Sequence, residues 1–111
     1  MKYVLLICDD ESDSPNMEEL EADPRNQAFA SAIERLSSNS VGARLRPVAT
    51  ATSVRVRHGE TLVSDGPFAE TKDFVGGVVF LECADLDEAI AIAAKHPWAY
   101  KGVVEIRPVW E

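Results

Sequence analysis

The 111-residue chain has no apolar run long enough to cross a membrane as a helix. It has two cysteines, Cys8 and Cys83, and no Cys-x-x-Cys step. That argues against a metal-binding or redox pair. Positive charge is short as well: the formal net charge is −8 and the two histidines are His58 and His96. An acidic surface repels phosphate backbones and anionic lipid, so nucleic acid and membranes are poor partners. The chain lacks a G-x-G-x-x-G turn, a Walker loop and a nucleophile elbow. The acids between Asp9 and Glu21 lack the glycine and closing glutamate of an EF-hand loop. Neither a metal nor a cofactor is expected.

What is present suits one domain over residues 1–111. A chain of this size buries only about two thirds of its unfolded surface. It supports one core and leaves little room for a deep private site, so a site near a dimer interface is expected. Both cysteines sit in apolar runs, Val4–Cys8 and Val78–Cys83, and read as small buried hydrophobes. A disulfide between adjacent strands stays open at this point. The first apolar run is short and leads directly into Asp9-Asp10, unlike a secretory leader, which suggests a cytoplasmic protein.

Residues 2–8 read as a central strand covered on both faces. Residues 9–23 read as an acidic connection with a helical turn near Met17–Leu20. Asp23-Pro24 pairs an N-cap acceptor with proline at the first helical position. Phe29, Ile33 and Leu36 then form one stripe of an amphipathic helix, which residues 37–40 end. Ala43–Ala49 is expected as a strand. Thr52–Arg57 and Thr61–Val63 form a hairpin around His58-Gly59-Glu60. Phe74–Cys83 is a core strand in which Gly76-Gly77 permits a bulge or a close approach. Asp85 and Glu88 form an Asp version of the capping box on a second helix. Pro97 stops that helix near Lys95-His96. Val103–Trp110 alternates as a last strand.

Without the hairpin the order is β-α-β-β-α-β, a ferredoxin-like α+β arrangement. Tyr3, Leu5, Ile7, Phe80, Val104 and Ile106 offer more apolar surface than one helical layer covers. A second copy packed on the sheet would hide the remainder, so a homodimer is expected.

The stretch Asp65-Gly66-Pro67-Phe68-Ala69-Glu70-Thr71-Lys72 resembles the signature of the YCII-related proteins, in the branch called the DGPF family. Met1–Ile7, Ala49–Val56, Gly59–Val63, Leu86–Ala89 and Val104–Val109 extend the resemblance over nearly the whole chain. It implies a dimeric α+β barrel built on a ferredoxin-like subunit. The DGPF branch is largely uncharacterised, and its members tend to be encoded near sigma factors of the extracytoplasmic-function type. Some members of the wider group are hydrolytic or dehalogenating enzymes of ring-cleavage products. They use a histidine on the first helix and an aspartate in an Asp-Pro step after the second. Here the histidine position falls at or near Phe29, and His96 precedes Pro97. The pair is absent, which counts against that activity.

The candidate site residues carry two readings each. Asp65 with Gly66-Pro67 makes a turn. With Phe68, Glu70 and Lys72 it also offers an acid, an apolar wall and a cation for a small anionic organic ligand or a carbonyl compound. His96 suits a helix end, or a cleft as a general base. Glu105 and Arg107 share a strand face, either as paired charges in a dimer interior, where Arg107 could orient an anion, or as an edge-strand ion pair with Glu70 or Lys72. Arg44, Arg46, Arg55 and Arg57 alternate along solvated strands or hold an anion. Two functions follow. One is an enzyme with Asp65 or His96 as acid or base. The other is a ligand-binding or regulatory module, linked in the second case to a sigma factor.

Overall fold

Strand β1 (Lys2–Asp9) is the spine of a four-stranded antiparallel sheet, seen in a computed structural model that describes residues 1–36, 40–69 and 71–111. It alternates buried and half-buried side chains because helices cover one face only. After it come α1 (Met17–Ala22), α2 (Pro24–Leu36), β2 (Val41–Arg44), β3 (Thr52–Arg57), β4 (Glu60–Asp65), β5 (Phe74–Glu82), α3 (Leu86–Ala93) and β6 (Val103–Pro108). The sheet runs β2-β5-β1-β6, and β3-β4 is a separate two-stranded hairpin. Hairpin aside, this antiparallel α+β order is compatible with a ferredoxin-like subunit.

The helices start where the sequence supplies acceptors. Asn16 Oδ1 accepts the Glu19 N–H at 2.8 Å, and the Glu19 carboxylate accepts the Asn16 N–H. Asp23 accepts the Arg25 N–H at 2.8 Å, with Pro24 opening α2. Asp85 accepts the Glu88 N–H at 2.9 Å; Glu88 turns back one residue further than a capping box requires, to the Ala84 N–H. The expected end of α2 at residues 37–40 falls largely outside the described residues.

The core joins Tyr3, Leu5, Ile7, Val79 and Leu81 on the sheet to Phe29 of α2 and Ala89, Ile92 and Ala93 of α3. Val104 and Ile106 pack beside them. These strand residues therefore face the helices. The opposite face carries a different set, because Val4 pairs with Phe80 and Leu6 with Val78. Of the residues expected to seek a second sheet, only Phe80 lies there. Read across the strands, the open face runs Val41, Phe80, Val4, Arg107 and then Ala43, Val78, Leu6, Glu105.

Two expected elements differ. Strand β2 spans Val41–Arg44 rather than 43–49, and Val48–Thr50 forms a 3₁₀ turn. Pro47 lacks an N–H and fixes its own φ, so the strand cannot continue through it. The hairpin forms as expected, with Val54 opposite Val63 and Val56 opposite Thr61. It projects from the body instead of packing on it, and Val54, Val56, Leu62 and Val63 stay exposed. The radius of gyration, 15.7 Å, reflects this arm; a compact chain of this length would have roughly 13 Å. The two thiols are free, Cys83 buried and Cys8 half-buried, so no bridge joins their strands. No described helix is long and apolar enough to cross a membrane.

Candidate functional site

Gly76-Gly77 is where the sheet makes room. Ile7 pairs with Gly77 and Cys8 with Val75, so Gly76 is the extra residue of a bulge. The Trp98 indole lies against it: a Cβ on Gly76 would sit 2.5 Å from Trp98 Cζ3. Glycine at this position allows the loop after α3 to close onto the sheet.

That loop is a 3₁₀ turn, Pro97–Ala99, with His96 as its N-cap. His96 Nδ1 accepts the Trp98 N–H at 3.0 Å. Caps of this kind are usually aspartate, asparagine or serine; here an imidazole nitrogen takes the place of the side-chain oxygen. The Phe29 ring meets the imidazole edge-on at 4.8 Å. His96 is only 6 % exposed. Burial pushes its pKa down to about 4, against a weaker opposing effect of Asp23. The ring is therefore neutral at physiological pH.

His96 lines a cavity of about 430 Å³ between α2 and the β2–β5 side of the sheet. Ile7, Phe29, Ile33, Val79 and Trp98 form most of its apolar wall, while Glu34 and Arg44 supply charges of opposite sign. The Arg44 guanidinium also donates to the Pro15 carbonyl, tying the acidic connection to β2. Among the described residues, no protein group bonds His96 Nε2.

An ion pair with a buried carboxylate and a partly exposed ammonium fixes the loop. Lys101 Nζ lies 2.6 Å from Asp9 Oδ2, and Asp9 is buried at the end of β1. The contact is ionic rather than well directed, since Oδ2 has no hydrogen-bond partner among the described residues. Lys101 also donates to the Asp13 carbonyl at 2.9 Å and lies 5.5 Å from the Trp98 ring centre. Arg25 of α2 stacks on Tyr100, 3.9 Å from the ring centre.

The other expected site residues stand elsewhere in the subunit. Asp65 ends β4 and is exposed; Phe68 is 79 % exposed; Lys72 is exposed. Glu70 lies outside the described residues. Arg107 is on the open sheet face, 4.0 Å from Glu105 and mostly solvated. None of Asp65, Phe68, Lys72 and Arg107 lines the His96 cavity. Within one chain, His96 is brought together with Phe29, Trp98 and Arg44 instead. From the sequence, Phe29 belongs to a packing stripe at or near the family's histidine position, and Arg44 to a row that is solvated or holds an anion. The Gly-Gly pair and the Trp after Pro97 were the available signals of a close approach.

The fold and cavity define a small α+β protein with one pocket-facing imidazole. The family model for the YCII-related domain matches residues 1–111. The chain belongs to the YCII-related family. It is also 38 % identical over 115 residues to the uncharacterized protein R00369 of Rhizobium meliloti (strain 1021), covering 98 % of this chain and 92 % of that one.

Proposed function

We propose that the chain is a small-molecule-binding protein whose ligand occupies the His96 cavity. The observation that carries this is the buried imidazole, held at Nδ1 by the Trp98 N–H and set in the wall of an apolar cavity of about 430 Å³. Pockets of this size and lining, with a few placed polar groups, suit small organic ligands. The expected cleft thus lies at the helix–sheet side rather than beside the Asp65–Lys72 loop of the same subunit.

The working form is a homodimer of the dimeric α+β barrel type. Val4, Leu6, Val78 and Phe80 form a continuous apolar strip, with Glu105 and Arg107 at its rim. An apolar centre with a polar rim is the anatomy of a protein interface. Asp65, Phe68, Glu70 and Lys72 keep a binding role only if that assembly brings the loop to a partner's cleft.

Titrating the labelled protein with a metabolite panel, followed by NMR, tests the cleft. Shifts should cluster on Ile7, Ile33, Val79, His96 and Trp98. Shifts confined to the hairpin, or none across the panel, remove this reading.

A regulatory module is the second reading, and the exposed apolar hairpin favours it. Its partner would be a protein such as a cytoplasmic extracytoplasmic-function sigma factor. Specific capture of that partner, abolished by Val54→Lys with Val63→Lys but not by changes in the cavity, would support it.

A further inference from the structure

We propose that His96 offers the cavity a hydrogen-bond donor only, and that the ligand taken there is an uncharged ring-bearing carbonyl compound. This rests on the cleft reading and narrows it.

The argument begins at the cap. The Nδ1 lone pair is occupied by the Trp98 N–H at 3.0 Å. A neutral imidazole carries its one proton on the other nitrogen, so the Nε2 edge is N–H. The opposite tautomer would set Nδ1–H against the Trp98 N–H, donor against donor, and leave a buried backbone N–H without an acceptor. That costs about 1–3 kcal/mol. The fold therefore selects the tautomer. A general base needs a lone pair at Nε2, and this arrangement denies it one. The base role expected for His96 is incompatible with the cap it makes.

Charge narrows the ligand further. The ring is neutral, with its pKa near 4. Glu34 and Arg44 line the same cavity with opposite charges, and Asp23 stands nearby with a negative one. No surplus of positive charge waits for a carboxylate, so the expected anionic ligand loses its support here. An amine or another donor would meet N–H with N–H. A carbonyl oxygen accepts from Nε2 without bringing charge. An aryl body would fill the space beside Phe29, Ile33 and Val79 and meet Phe29 edge-on.

Acetophenone, ethylbenzene and benzoate share a ring and differ at the group that meets Nε2. Binding to the full chain is followed by the Trp98 indole signal, and the tautomer by two-bond proton–nitrogen correlation of the imidazoles. The expected result is an Nε2–H tautomer for His96. Acetophenone should bind about fivefold tighter than ethylbenzene, the worth of one neutral hydrogen bond, and tighter than benzoate. His96→Asn keeps an acceptor for the cap and should erase the preference for acetophenone. An Nδ1–H tautomer, or benzoate or ethylbenzene binding as tightly as acetophenone at the Trp98 signal, overturns the inference and leaves the cleft standing. Failure of all three to move the Trp98 signal overturns both.

Discussion

Trp98 occupies the place where any side chain on Gly76 would have to go, its Cζ3 only 2.5 Å from the missing Cβ. The indole is also a wall of the cavity, so one glycine couples the sheet bulge to the site. Gly76→Ala should destabilise the protein by about 1–3 kcal/mol through overpacking. A Cβ on Gly77 meets its neighbours only at 3.5 Å, ordinary contact, and Gly77→Ala should cost distinctly less. Urea midpoints of the two variants measure the difference. Equal midpoints would mean that Trp98 does not press on Gly76.

Asp9 and Lys101 form the second clamp. Removing the ammonium leaves a buried carboxylate whose Oδ1 still accepts the Asp10 N–H but whose Oδ2 has no counter-charge. Because Lys101 is about a third exposed (34 % by side chain), Lys101→Met should cost about 1–3 kcal/mol, less than for a fully buried pair. Asp9→Asn with Lys101→Met together should recover part of the loss. Thermal unfolding of the double-mutant cycle reads the coupling.

Stability should depend on pH through His96. Its pKa falls from 6.5 to about 4 on folding. Above pH 6.5 both folded and unfolded chains carry a neutral ring, and the group adds no pH dependence. As the pH falls from 6.5 towards 4, the unfolded chain takes a proton that the folded one refuses, and stability drops. The full loss is on the order of 3 kcal/mol. Denaturant melts from pH 7.5 to 4 should show this slope, and His96→Asn should flatten it.

The open sheet face gives the assembly prediction. Phe80 is 53 % exposed in the single subunit, in a row with Val41 and Val4. Sedimentation should give twice the chain mass for the wild type, and Phe80→Lys should give one chain that keeps its fold. A wild type that sediments as a single folded subunit rules the dimer out.

Local chemistry decided much of this protein before any packing. Asn16, Asp23 and Asp85 start their helices because a short side-chain acceptor needs only the next turn of backbone. Gly76 reads as a bulge and His58-Gly59 as a hairpin turn for similarly local reasons; both turn residues have positive φ. Pro47 ends β2 in the same local way. The sequence pattern also carried the family resemblance from end to end.

Tertiary structure alone decided which residues share a site. Alternation tells which side chains are on one face of a strand, but not which face meets the helices. Only the pairing register put Phe80 and Val4 outside and Leu5 and Ile7 inside. Asp65 and His96 are separated because the hairpin projects from its own body with Val54, Val56, Leu62 and Val63 exposed, a fact of long-range contact that no window of sequence contains. The tautomer of His96 likewise depends on a backbone turn closed by Pro97 and seated on Gly76. Side-chain chemistry supplied the imidazole, and the three-dimensional packing settled which of its nitrogens closes the cap.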